Sequence, residues 1–156
     1  MGVCRAAFRI AVVVASAVVL AGCGGEERLS KPEYEQKVRS VYAGVQAAFR
    51  ETSSVSGTEL ATAVADAQER LRDAAEELEA IEPPKDVEEQ NEEIVEGLRE
   101  YASDLDELRE AVVSGNATAV ERFNAEISQN PAVERIAEAA EEMKFKGYDL
   151  GPIAEE

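Results

Sequence analysis

Residues 58–81 read TELATAVADAQERLRDAAEELEAI, and one pattern runs their whole length. Leu60, Val64, Ala67, Leu71, Ala74, Leu78 and Ile81 alternate steps of four and three. That spacing puts every apolar side chain on one face of an α-helix, as the narrow seam of coiled-coil-like packing requires. Ser56 with Glu59, or Thr58 alone, is positioned to cap its start. Pro83-Pro84 stops it, because neither residue donates a backbone hydrogen bond and the first ring also restricts its predecessor.

Moving outward, the same alternation appears on both sides. Towards the N-terminus, Tyr34, Val38, Val41, Val45 and Ala48 form a stripe that Phe49 widens, which predicts a helix from residue 31 to about 51. Ser30 and Glu33 make a capping box there, with Pro32 in the first turn. Towards the C-terminus, a third helix is expected from Asp86, boxed with Glu89. Its stripe is Val87, Asn91, Ile94, Leu98, Tyr101, Leu105, Leu108 and Val112. Ser114-Gly115-Asn116 ends it, with glycine in the left-handed position and Asn116 capping the next helix. The fourth segment carries Val120, Phe123 and Ile127, then Val133, Ile136, Ala140 and Met143. Between the two sets lies Asn130-Pro131, a cap followed by a first-turn proline, so a kink or break is expected. Lys144 and Lys146 before Gly147 suit a helix end.

Short connections between long helices make sequential neighbours antiparallel. The expected fold is therefore all-α, an up-down-up-down antiparallel four-helix bundle with a kinked or broken fourth helix. The alternative is a three-helix bundle with an irregular C-terminal arm. The expected divisions are a signal at 1–22, a tether at 23–29, the bundle at 30–147 and a loosely packed tail at 148–156.

The N-terminus carries a different signal. Arg5 and Arg9 precede an apolar run over 10–20, interrupted only by Ser16. That is a charged region followed by an apolar region of secretory length, too short to span a bilayer comfortably. Leu20-Ala21-Gly22-Cys23 comes next. It resembles the lipobox of bacterial lipoproteins. The resemblance implies cleavage between Gly22 and Cys23, a diacylglyceryl group on the Cys23 sulfur, and residence on the extracytoplasmic face of a bacterial membrane. Two acyl chains hold a protein firmly where one does not. Cys4 would be discarded with the signal, leaving no disulfide partner.

Composition bounds the rest. Two of the 16 basic residues and none of the 33 acidic ones lie in 1–22, so the remainder carries 14 against 33, a charge of −19. Such a surface disfavours nucleic acid and anionic headgroups and favours solubility and basic partners. Acid is densest over 86–110, where 11 acids face Arg99 and Arg109. Glu92, Glu93, Glu96 and Glu100 form a candidate docking face for a basic protein segment or a polyamine-like ligand. The plainer reading is a solvated face that selects helix neighbours.

Catalytic groups are sparse. The chain has no histidine, which excludes His-dependent nucleophilic triads. No Ser-x-x-Lys and no glycine-rich phosphate loop occurs beyond the signal. Glu89/Glu92 and Glu93/Glu96 have the spacing of bundle metal ligands without their histidines. Zinc and copper lack their usual ligands, and a weak carboxylate site for calcium or magnesium is the most that is chemically allowed. No cofactor and no metal site is expected. Asn91 interrupts an apolar seam, where it either fixes helix register or lines a small pocket with Tyr101. Gly44 and Gly97 sit inside helices, where each weakens the helix by roughly 1 kcal/mol against alanine. Close helix approach, or a gap that admits a ligand, would explain them.

The expected role is a non-catalytic, membrane-anchored binding or interaction module of the cell envelope. The alternatives are a structural envelope protein, a weak carboxylate-based cation or ligand binder, and a carboxylate-dependent glycan-acting enzyme. The last would need two acids facing across a cleft roughly 5–9.5 Å apart.

Overall fold

Apolar seams at helical spacing, punctuated by proline and glycine, leave each segment one stable way to bury its stripe. A computed structural model describes residues 28–151, and every regular element among them is helical. The α-helices are α1 (Lys31–Thr52), α2 (Thr58–Glu79), α3 (Glu88–Val113), α4 (Ala117–Glu126) and α5 (Pro131–Phe145). Short 3-10 turns, Lys85–Val87 and Ile127–Gln129, lead into α3 and out of α4.

Side-chain bonds give the directions. Lys37 of α1 meets Glu77 of α2 at 2.8 Å, while the Arg70 guanidinium lies over Gly44. Rising numbers on α1 thus pair with falling numbers on α2. Likewise Asn91 of α3 donates to the Leu78 carbonyl at 3.2 Å, while Gln68 donates to Ala102 O at 2.9 Å and Asp106 at 3.0 Å. Gln90 pairs with Glu142 of α5 near one end and Arg135 with Glu96 nearer the other. Each neighbouring pair is antiparallel. The core is built from the seams read in the sequence, including Val38, Val41, Val64, Leu71, Leu78 and Leu105.

The ends depart from expectation. The capping box of α1 forms: Glu33 accepts from both the N–H and the hydroxyl of Ser30, which holds its carboxyl below the usual range. Asn116 caps α4 through Ala119 N–H at 3.1 Å, and Asn130 caps α5 through Ala132 and Val133. Gly115 is left-handed at φ 69°, as its position after α3 requires. Neither Ser56 nor Thr58 caps α2, however; Gly57 holds that position at φ 62° with no side-chain bond. Asp86 does not cap α3 either. Its carboxylate accepts the Tyr148 hydroxyl at 2.9 Å, and α3 begins at Glu88 after the 3-10 turn.

The break expected in the fourth segment is present: α4 has no buried residue and lies beside α3, while α5 is the fourth core helix. Two boundaries are corrected. The tether expected to run through 29 is packed from Arg28 onward. Leu29 N–H donates to Glu82 O at 2.8 Å, and Arg28 donates to Pro83 O and pairs with Glu82 and Glu88. The tail expected to be loose from 148 starts as core, with Tyr148 and Leu150 buried. Tyr148 meets Tyr34 edge-on at 6.0 Å, and Arg39 holds Asp149. The signal, Cys23 and the rest of residues 1–27 lie outside the described residues.

Candidate functional site

One side of the bundle is not closed. α1 packs against α2, α2 against α3 and α3 against α5, whereas α1 and α5 make no comparable approach. The space between them is an apolar cleft of about 540 Å³. Val38, Val41 and Val45 form one wall and Val133, Ile136 and Ala137 the other. Leu71 and Leu78 of α2 with Ile94 and Leu98 of α3 lie beneath it as packed core. Phe49, Tyr101 and Ile127 line the end farthest from Arg28.

Side-chain volume explains the opening. The α1 seam offers valine three times where leucine would reach farther, and α5 answers with Ala137. The near end is shut by polar bonds rather than bulk. The Tyr34 hydroxyl, one turn before Val38, donates to Asn91 Oδ1 at 2.9 Å and touches Met143 sulfur at 3.8 Å. Burial drives the Tyr34 pKa well above its ordinary value. At the far end Phe49 stacks on Tyr101, with ring centroids 5.5 Å apart and planes 15° apart. Burial, with the Asp104 charge adding, pushes Tyr101 up to about 12, so it stays neutral at any ordinary pH. Polar groups reach the cleft at its mouth: Tyr42 and Gln46 on α1, Glu134 on α5. The Gln46 amide donates to Tyr42 at 3.4 Å and accepts from Arg50 at 2.6 Å.

The residues singled out in the sequence fall in three places. Gly22 and Cys23 lie outside the described residues. Glu93, Glu96 and Glu100 converge on Arg135 of α5 at 3.5, 2.9 and 3.6 Å, while the adjacent Glu92 is exposed. Much of the acidic face therefore already has a cation, one that ties α3 to α5. Asn91 stands in the register role, bonded to α1 and α2 at once, and does not line the cleft that Tyr101 does. Gly97 marks the close approach of α3 and α5. Among the described residues no group of three or more His, Cys, Asp or Glu is placed to hold a metal ion. Among them, too, no helix is long and apolar enough to cross a membrane.

Sequence reasoning missed the cleft. Its signal was present as short side chains at facing positions, valine on α1 against Ala137 on α5, but facing positions require the bundle's register. Comparison with curated proteins and with solved structures yields no match. A family model does match, from Arg28, the first described residue, to Lys144 in the last turn of α5. The chain belongs to that family, described as a domain of unknown function, DUF7018.

Proposed function

We propose that this protein is a lipid-anchored, non-catalytic binding module on the extracytoplasmic face of a bacterial membrane, and that the cleft between α1 and α5 is its binding site. The observation that carries the reading is the cleft: about 540 Å³ of apolar-lined space opening onto solvent. Ligand sites are typically concave, mostly apolar and of this size, with a few polar groups at fixed places. Glu134 is the carboxylate on the cleft lining, so two acids do not face each other there, as carboxylate-dependent glycan cleavage would need. The likeness of Leu20–Cys23 to a lipobox supports the anchor. Arg28, the first described residue, is five positions beyond Cys23 and at the end away from Phe49 and Tyr101. A helix of 22 residues is about 33 Å long. The anchor would thus hold the far end of the cleft well clear of the headgroups.

Two measurements test the halves separately. Mass analysis of the N-terminal peptide from native membranes is expected to find Cys23 first, carrying a diacylglyceryl thioether; an unmodified Cys23 refutes the anchor. For the cleft, the water-soluble form beginning at Gly24 keeps every described contact. It should bind the uncharged fluorophore N-phenyl-1-naphthylamine saturably, one per chain. Ala137→Trp, on an exposed position of the wall, should weaken that binding at least about tenfold without altering the helical spectrum. Weak, non-saturable fluorescence, or binding indifferent to Ala137→Trp, refutes the site.

A further inference from the structure

The end of the bundle that follows Cys23 in the chain carries an apolar side chain set among lysines. We infer that this end makes a non-covalent contact with the phospholipid headgroup layer: Phe145 enters the layer, and Lys144 and Lys146 on either side meet the lipid phosphates. The contact presupposes the anchor at Cys23 and is made by the folded body itself.

Phe145 is the last residue of α5 and is 94 % exposed. It stands two positions beyond buried Met143, about 200° round the helix, and so faces away from the core. A single exposed apolar side chain is common and means little alone. The place of this one gives it meaning. Lys146, beside it, donates to the Asp86 carbonyl, while Arg28 donates to Pro83 O and pairs with Glu88. The end of α5 and the first described residue therefore lie at the same end of the bundle. Five residue steps separate Arg28 from Cys23, at most about 18 Å of chain. An acylated Cys23 would keep this end beside the headgroups.

Charge is sorted the same way. The chain carries −17, yet four of its five lysines, Lys31, Lys85, Lys144 and Lys146, are exposed at this end. Elsewhere cations stand against carboxylates, as Lys37, Arg70, Arg99 and Arg135 do. Lys146 instead donates to two neutral oxygens, Asp86 O and Gln90 Oε1, at 2.7 Å each, and Lys31 lies 4.5 Å above the Tyr148 ring. Their positive charge is left to act outward. The nearest acids bond to the chain's own donors: Arg28 holds Glu82 and Glu88, Tyr148 holds Asp86, and Gln90 holds Glu142. An apolar ring flanked by lysines is the composition of interfacial segments. The ring enters between headgroups while the long side chains lift their amines to the phosphates. Glu141, one turn before Phe145, confines the contact to the last turn of α5. An acidic body tethered near lipid phosphate turns its lysine-bearing end towards it. One ring and a few lysines would not hold a free protein there. Attached through Cys23, the same contact becomes intramolecular and is strengthened by effective concentration alone.

The test couples the form beginning at Cys23, whose only thiol is that residue, to vesicles of phosphatidylcholine and phosphatidylglycerol that carry a maleimide lipid. The chain has no tryptophan, so Phe145→Trp places a single indole at the contact. On coupling, its emission is expected to shift to the blue, and lipids brominated near the top of the acyl chain should quench it. Val113→Trp, at the 73 % exposed site ending α3 on the far side of the bundle, should show neither effect. Adding Lys144→Glu to Phe145→Trp should lower the ratio of inserted to free indole at least about fivefold, the factor that one lysine near an anionic surface contributes. An indole at position 145 that stays in water on the vesicle, or is quenched no more than the one at position 113, overturns the contact. Insertion indifferent to Lys144→Glu overturns the part given to the lysines. A blue shift already present before coupling means that a second copy of the chain covers Phe145, and overturns the membrane contact as well. Because the coupling is chemical, these outcomes are separate from the anchor, which fails if native Cys23 is unmodified.

Discussion

Gly97 and Gly44 occupy equivalent mid-helix positions, yet their surroundings predict opposite responses to alanine. A Cβ on Gly97 would stand 2.6 Å from Ile136 Cγ1 and 3.0 Å from the Ala132 carbonyl oxygen. One of these is backbone, and the helix carrying it is fixed by Asn130, Pro131 and Arg135. A Cβ on Gly44 would meet the tip of the Arg70 side chain, which can swing away from its 3.1 Å pair with Glu77. That pair is part-buried, and Glu77 keeps its bond to Lys37 when Arg70 moves. Alanine gains roughly 1 kcal/mol of helix propensity at both sites. At Gly97 a forced separation of two helices outweighs the gain, since overpacking destabilises by about 1–3 kcal/mol. Urea denaturation should therefore show Gly97→Ala less stable than the parent, and Gly44→Ala equal or more stable. The reverse order would mean that Ile136 yields freely and that α3 and α5 are not in tight contact.

At the scale of elements, the helices were legible in the sequence and their ends only partly so. A seam such as Leu60 to Ile81 is a one-dimensional signal, fixed by spacing alone. Ser30, Asn116 and Asn130 cap as read, because a cap is also a local bond. Asp86 misleads because its carboxylate has a better partner 62 residues away, the Tyr148 hydroxyl. The segment after Gly147 has no periodicity to read, yet Tyr148 and Leu150 are buried. It acts as a strap across one end of the bundle: Tyr148 abuts Tyr34, Lys31 sits 4.5 Å above the Tyr148 ring, and Asp149 is held by Arg39 and Glu35. Truncating a buried aromatic to alanine typically removes about 3–5 kcal/mol. Tyr148→Ala should fall in that range by chemical denaturation, whereas Tyr148→Phe, losing only the bond to Asp86, should lose about 1 kcal/mol. Equal stability of Tyr148→Ala and the parent would show that the strap is dispensable. The cleft was illegible for the same reason as the strap: both depend on which residues face each other across helices, and spacing along one helix does not contain that.

The whole molecule is held together against its own charge. Ion pairs within 4 Å of each other, such as Arg135 with Glu96, are shorter than the screening length of about 8 Å at physiological salt. The repulsion among unpaired acids acts over longer distances and is screened first. At about 0.01 M salt the screening length is near 30 Å, close to the length of the bundle, so the −17 of the chain is felt throughout. Melting temperature should accordingly rise from low to physiological salt, by about 3 °C for each kcal/mol recovered in a domain of this size. The pH dependence has two limbs with separate causes. Glu77 is held below its ordinary 4.5, chiefly by its bond to Lys37, and Asp106 below 3.8, chiefly by Gln68. A carboxylate lowered in the folded state contributes stability that is present above its unfolded pKa and lost as pH falls through the folded one. The acid limb should therefore begin below about pH 4.5. Tyr101 and Tyr148 are raised from 10 to about 12, both chiefly by burial. Their contribution is complete below pH 10 and drains away as pH climbs to about 12. A melting profile should be flat between these limbs. In Tyr148→Phe the alkaline limb should shrink while the acid limb is unmoved, because phenylalanine removes one tyrosine titration and leaves Glu77 and Asp106 as they were. An alkaline limb of undiminished size in that variant would mean that its hydroxyl keeps an ordinary pKa and that the strap is not packed as described.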